Sequence, residues 1–309
     1  MNFVTRTLFP LIVAAALPVS ALAGTTIGVS MAHFDDNFLT TVREAMATEG
    51  KVHPGVTLDF EDAQGDVGRQ VSQVESFVSQ HVGAIIVNPA DTSATKRMTD
   101  AAAKAGIPIV YVNRRPNEQM AADSWFVGSD NLVAGRMQME YLAKRLNGKG
   151  NIAVMLCELS TDVTRDRTKG VKDVIARNPG IKVVAEQTAN CDRSQSINLM
   201  GQWLSSGKKF DAIAANNDEM ALGALIAMKQ AGVSPKSVLV GGVDATQEAL
   251  NAMAKGDLAV TVFQDARGQG KTAVDEAIRL ASGDRNVPHE IWIPWQLVTP
   301  DNYKSLLNR

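Results

Sequence analysis

The chain has 309 residues, of which 45% are hydrophobic, 5% aromatic and 21% charged, with 31 Lys+Arg against 33 Asp+Glu. At roughly 100–200 residues per domain this means two domains or one large one, with a packed core and charges too evenly mixed for a disordered chain. A formal net charge of -2 argues against nucleic acid or a polybasic membrane contact, and 2 cysteines exclude a disulfide-built miniprotein and a four-thiolate zinc site.

Residues 1–23 place Arg6 before an apolar run from Leu8 to Val19, followed by Ala21-Leu22-Ala23. A basic start, an apolar middle and a small-residue cleavage site make a secretory signal peptide, so the mature chain is expected to begin at Gly24 and to be exported. The run contains Pro10 and Pro18 and is shorter than the roughly 20 residues a membrane span needs. Gly24 stands where lipoprotein attachment would need a cysteine.

From Thr26 onward short β-branched runs alternate with amphipathic stretches. Strands are expected at 26–32, 56–62, 83–89 and 107–113, with helices at 37–50, 67–81 and 93–105 between them. A helix at 130–146 opens a second series: strands at 151–158, 181–187, 210–217, 237–244 and 258–265, and helices at 164–178, 192–206, 218–231, 246–254 and 268–282. Such alternation implies βαβ units, and apolar runs such as Ala84-Ile85-Ile86-Val87 imply parallel sheets covered on both faces. The fold class is α/β, in two successive units.

Most strands end, at their carboxyl side, in hydrogen-bonding groups: His33-Phe34-Asp35-Asp36, Asn88, Asn113-Arg114-Arg115, Asn216-Asn217-Asp218, Asp244 and Gln264-Asp265. Ligands of open parallel sheets bind at these ends. Turn initiation and helix capping account for part of the set, Asp91 and Asp218 above all. They do not account for its recurrence in both halves, or for paired arginines after one strand. Arginines beside carboxylates suit a ligand dense in hydroxyls.

Several chemistries fail. Gly270-Lys271-Thr272 lacks the first P-loop glycine, since position 265 is Asp, and no G-x-G-x-x-G follows the first strand. His33, His53, His81 and His289 are scattered without metal-site spacing, and no G-x-S-x-G appears. No catalytic residue, metal or cofactor is expected.

From about Thr26 to Thr299 the mature chain resembles the periplasmic sugar-binding proteins of the ribose-binding type, and within them the cyclitol-binding members. The resemblance rests on Asn217-Asp218-Glu219-Met220-Ala221-Leu222-Gly223-Ala224, supported by Val87-Asn88-Pro89-Ala90-Asp91, Asn113-Arg114, Arg165-Asp166-Arg167, Gly242-Val243-Asp244-Ala245-Thr246 and Gln264. Ala185-Glu186-Gln187-Thr188-Ala189-Asn190 is similar to the cyclitol binders. It implies two similar three-layer α/β lobes with parallel sheets and a three-segment hinge. Lobe one would be 24–129 plus 265–294, and lobe two 130–264 plus 295–309.

The resemblance also implies the solute-binding component of an ABC importer, a monomer that binds a sugar or cyclitol and meets an inner-membrane permease transiently. The ligand set carried over is Asp36, Phe38, Asn88, Asn113, Arg114, Arg167, Asn217, Asp244 and Gln264. Asn217 also stands where a helix cap would, and Phe38 is spaced for the core with Val42. Ribose binders have an amide and then an aspartate where this chain has Asp36 and Asn113, so the carboxylate count is unchanged. Leu39 and Cys191 stand in place of aromatics, which points from ribose to a six-membered cyclic polyol. Cys157 and Cys191 either form a disulfide, the reading preferred, or are separate thiols at the site wall. The competing classes are an enzyme on this scaffold, which lacks an identifiable base, nucleophile or metal, and a sugar sensor for chemotaxis or signalling. A repressor would need an N-terminal helix-turn-helix, where this chain has an export signal.

Overall fold

The computed structural model describes residues 24–307, so the expected signal peptide, 1–23, lies outside the described residues. The first series is β1 (Thr25–Met31), α1 (Asn37–Val52), β2 (Val56–Asp62), α2 (Val67–Ser79), β3 (Ala84–Val87), α3 (Lys96–Lys104), β4 (Ile109–Val112) and β5 (Ser124–Gly128). The second is α4 (Asn131–Arg145), β6 (Lys149–Leu156), α5 (Asp162–Ala176), β7 (Gly180–Thr188), α6 (Arg193–Ser205), β8 (Ala212–Ala215), α7 (Asp218–Gln230), β9 (Leu239–Gly241), α8 (Gln247–Ala254) and β10 (Thr261–Phe263). The chain then forms α9 (Ala266–Ala281), β11 (Glu290–Trp292) and β12 (Gln296–Val298). Strands β5, β11 and β12 were not expected from the sequence.

Asp36, Asp66, Asp130, Asp192 and Asp265 cap α1, α2, α4, α6 and α9 by accepting a backbone N–H of the first turn. Asp218 does not cap α7, contrary to expectation. Asn217 does, and the Asp218 carboxylate accepts instead from Thr246 N and Thr261 Oγ1. Asp91 serves a turn, accepting from Ser93 N and Oγ.

One sheet runs β2-β1-β3-β4-β5-β11 and is parallel throughout. The other runs β7-β6-β8-β9, also parallel. Strand β10 adds single parallel bridges at Gly241–Val260 and Asp244–Phe263, and pairs antiparallel with β12. Alternate residues of the buried strands enter opposite layers. Ile86 and Val110 pack with Val42, Met46, Val274 and Ile278 of α1 and α9, while Ile85 and Ile109 pack with Val74, Phe77 and Met98 of α2 and α3. In the second sheet Ala153 and Met155 meet α6, α7 and α8, and Ile152 and Val154 meet α4 and α5. These are two three-layer α/β lobes, and no helix among the described residues is long and apolar enough to cross a membrane.

The chain passes between the lobes three times: from β5 into α4, from β10 into α9, and from β11 into β12. Trp295 Nε1 on the third crossing donates to Asp130 O on the first, at 2.7 Å, and Gln269 Nε2 on α9 donates to Ser129 Oγ.

Helices α4 and α5 touch backbone to backbone. A Cβ at Gly135 would lie 2.0 Å from Arg167 O, and one at Gly170 2.4 Å from Leu132 O. Gly135→Ala must therefore push apart the helix that carries Arg167. We expect a stability loss of about 1–3 kcal/mol, as for other overpacked sites, together with weaker ligand binding. Thermal unfolding and calorimetry on the same variant check both, and a variant as stable as wild type would contradict the contact.

Candidate functional site

Between the lobes lies a small cavity lined by Asp36, Phe38, Leu39, Asn113, Arg114, Val163, Arg167, Cys191, Asn217, Asp244 and Gln264. The space it encloses is small, far too little for an oligosaccharide. Eight of the nine residues expected at the site are in this lining. Asn88 stands one layer back: its amide donates to Val112 O and Asn113 Oδ1 and accepts from Ala32 N, so it braces Asn113.

Strand ends and helix starts supply the polar groups. Asp36 accepts from Leu39 N at 2.7 Å, and burial raises its pKa. Asn217 Oδ1 accepts from Met220 N while its Nδ2 donates to Cys191 O. Asn217 is thus both a cap and a wall residue, and Phe38 both packs on the first-lobe core and lines the cavity. Asn113, Cys191 and Asp244 have φ of 68°, 58° and 120°, strained for residues with a Cβ. Such strain persists only where the surroundings enforce it, and it gathers at functional sites.

Both arginines are held by hydrogen bonds to other protein groups. Arg114, 5% exposed, donates to Pro89 O at 3.1 Å and to Glu158 Oε1 at 3.2 Å. Arg167, 3% exposed, donates to Asn131 Oδ1 at 3.0 Å, Asn216 O at 2.6 Å and Gln264 Oε1 at 2.9 Å. It also lies 3.7 Å from Asp244 Oδ1, with its guanidinium over the Trp295 ring. A guanidinium has five N–H groups, so Arg114 keeps three and Arg167 two for a ligand. Burial raises the Asp244 pKa well above the usual carboxylate range, and the Arg167 charge opposes that rise. Gln264 Nε2 is buried with no partner among the described residues, an orphan donor in the cavity wall. Buried donors are rarely left unpaired, and a ligand hydroxyl would satisfy this one.

Sequence reasoning missed Val163, Glu158 and two of the residues that hold Arg167, Asn131 and Trp295; the third, Asn216, it read as a strand-end polar group without assigning it to the ligand set. Glu158 follows β6, and the strand-end rule applied there would have found it. Cys157 and Cys191 are joined in a disulfide. The lobes also meet directly outside the cavity, through Asn37 Nδ2 to Glu219 Oε1 at 2.8 Å and Thr92 N to Ser160 O at 3.1 Å.

The family model described as a periplasmic binding protein domain matches residues 27–285. The chain belongs to the periplasmic binding protein family. Like the rest of this family it is a solute-binding protein and not an enzyme. A Rhizobium meliloti protein named for rhizopine binding is 49% identical to it over 94% of this chain and 95% of that protein. The ribose import binding protein of Bacillus subtilis is 31% identical over 89% and 87%. Among solved structures, an ABC transporter solute binding protein from Bacillus halodurans with bound myo-inositol has a TM-score of 0.88 at 44% identity, covering 93% of this chain and 98% of that one. The Caulobacter myo-inositol binding protein bound to myo-inositol has a TM-score of 0.84 at 27% identity, covering 94% and 97%.

One buried carboxyl beside the site has a pH consequence. Asp162 is 3% exposed, accepts from Asn131 Nδ2, and is pushed up from 3.8 to about 6 by burial. A carboxyl that titrates higher in the folded state favours folding below its unfolded pKa and loses that contribution as pH rises through its folded pKa. Wild type should therefore lose up to about 3 kcal/mol from this group between pH 4 and pH 7. Asp162→Asn should flatten that part of the curve in denaturant unfolding at several pH values, and identical pH profiles would refute it.

Proposed function

We propose that this protein is the exported, monomeric solute-binding component of an ABC importer, taking a six-membered cyclic polyol of the inositol class and delivering it to an inner-membrane permease. In this reading residues 1–23 are a signal peptide. Residues 24–129 plus 265–294 move as one lobe, and 130–264 plus 295–309 as the other. The observation that carries the reading is the small cavity, to which both lobes contribute hydrogen-bonding groups, with the orphan Gln264 Nε2 in its wall. Asp36, Phe38, Asn113 and Arg114 act from one lobe and Arg167, Asn217 and Asp244 from the other, with Gln264 on a crossing and Asn88 supporting Asn113. The two myo-inositol complexes among its structural neighbours support the ligand class.

One ligand can satisfy both sets only when the lobes are closed, so binding energy favours closure. The test is a thermal-shift screen of cyclitols, hexoses and pentoses, followed by small-angle scattering with the best ligand and mass spectrometry of what is recovered. Inositols should give the largest shift, the particle should become more compact, and the ligand should be recovered intact. A tight ligand that leaves the scattering unchanged, or that is consumed, would overturn the proposal.

A further inference from the structure

Outside the cavity the lobes meet along a seam at the start of α5. Thr92 N and Oγ1 donate to Ser160 O, Arg165 donates to Asn117 Oδ1, and Arg114 pairs with Glu158. The first-lobe partners come from the loops after β3 and β4, and the second-lobe partners from residues 158–165. In the middle of this seam sits Asp162, 3% exposed. Thr161, not Asp162, caps α5. Asp162 Oδ2 accepts from Asn131 Nδ2, the same amide whose oxygen accepts from Arg167. Asp162 Oδ1 is buried with no hydrogen-bond partner among the described residues, although the Arg115 backbone N–H of the first lobe faces the carboxyl. A buried carboxylate oxygen without a partner is costly, and a proton on the carboxyl removes most of that cost.

We propose that Asp162 links closure of the lobes to a proton: closing brings the first-lobe loop over its carboxyl and excludes water, so in mildly acidic solution the closed form holds a proton there that the open form releases. This rests on the closure reading above and adds to it a pH dependence set by a residue outside the cavity lining. The charged groups that face Asp162 are Arg114 from the first lobe and Arg165, Asp166 and Arg167 from α5. The arginines favour the carboxylate and Asp166 opposes it, but burial is the largest influence and raises the pKa to about 6. From α4 the facing group is the neutral Asn131, and Arg115 turns its guanidinium away to Glu290. A group that binds its proton more tightly in the closed form favours closure below its open-form pKa. That contribution is lost as pH rises through about 6.

The experiment is calorimetry with myo-inositol at about pH 5 and pH 7.5, each in two buffers of different ionisation enthalpy, on wild type and Asp162→Asn. Asparagine keeps the size of the side chain and an oxygen for Asn131 Nδ2, without a charge to bury. Asp36 and Asp244 are buried at the cavity itself, so the readout is the difference between the two proteins. At about pH 5 wild type should take up at least about half a proton more per myo-inositol than the variant. Between about pH 7.5 and pH 5 its affinity should rise by about fivefold to tenfold more. No proton uptake by wild type in acid, or equal uptake and equal pH dependence in the two proteins, would overturn the inference and leave the cyclic-polyol reading standing. If myo-inositol does not bind, that reading falls, and small-angle scattering without ligand decides the inference. Wild type should then grow more compact on acidification by more than Asp162→Asn does, and equal changes in the two would overturn it.

Discussion

Arg167→Ala should weaken ligand binding by about three decades or more, the largest single-residue effect expected in this protein. Its two spare N–H groups are available for ligand hydroxyls, and hydrogen bonds to a charged group contribute about 1.5–3 kcal/mol each. The same guanidinium also orients the site. It fixes Gln264 on one interlobe crossing and lies over Trp295 on another, and it stands 3.7 Å from Asp244. Removing one partner of a buried ion pair costs about 3–5 kcal/mol, because the other is left uncompensated. The variant should therefore lose stability as well as affinity. Arg114→Ala, with three spare N–H groups, should also weaken binding by about two decades or more, but it should cost less stability and disturb fewer site groups, since its protein partners are a single carbonyl and a carboxylate that is partly open to solvent. Arg167→Lys keeps the charge but not the planar fork, so it should recover much of the stability and little of the affinity. Calorimetry with myo-inositol and thermal unfolding without ligand separate these effects. An Arg167→Ala protein that folds and binds like wild type would remove the residue from the site.

The alternation of strands and helices was legible because each long element has a period and a boundary residue. Strand β2 was located to the residue, and most helices to within two or three. What failed was short or set by tertiary structure. Strands β11 and β12 have three residues each, too few for any periodicity to register, and they exist because the chain is passing between lobes. Strand β5 reads Ser-Trp-Phe-Val-Gly, a sheet-like run that went unassigned between the loop after β4 and the helix opening the second half. The site divides in the same way. Polar groups after strands could be read along the chain, as Asp36, Asn113, Asp244 and Gln264 were. The partners that make them a site are distant: Arg167 with Gln264 across 97 positions, and Asn113 with Gln269 across 156. No local spacing encodes such pairs. Asn88 shows the converse error available to any strand-end rule, because a strand-end amide can turn inward and brace its neighbour. Asn217 and Asp218 show the sensitivity of the rule to one residue, the first capping α7 and lining the cavity, the second buried against Thr246 and Thr261.

Loss of the Cys157–Cys191 disulfide, one end of which is buried in the core of the second lobe, should cost about 4 kcal/mol. The bridge spans a sequence separation of 34. In the chain-entropy account, loops of about 15 and 100 residues gain about 3 and 4.7 kcal/mol, and this loop falls between them. At about 2–4 °C per kcal/mol for a chain of this order of size, the unfolding midpoint should fall by roughly 8–15 °C. The effect reaches the ligand through a short path. Cys157 follows β6, the fully buried end of the strand at the centre of the second lobe, while Cys191 sits in the turn between β7 and α6 with φ of 58°. That turn is cavity wall, and its Cys191 carbonyl accepts from Asn217 Nδ2 at 3.1 Å. Releasing the turn lets a strained backbone relax and frees the Asn217 amide from its position in the cavity wall. A Cys157→Ser, Cys191→Ser double variant should therefore bind cyclitols more weakly as well as unfold earlier, and saturating ligand should recover only part of the lost midpoint. Thiol titration of denatured, unreduced wild-type protein should find no free thiol. Two thiols per chain in that titration, or a double variant with the wild-type midpoint, would show that the bridge does not hold this wall.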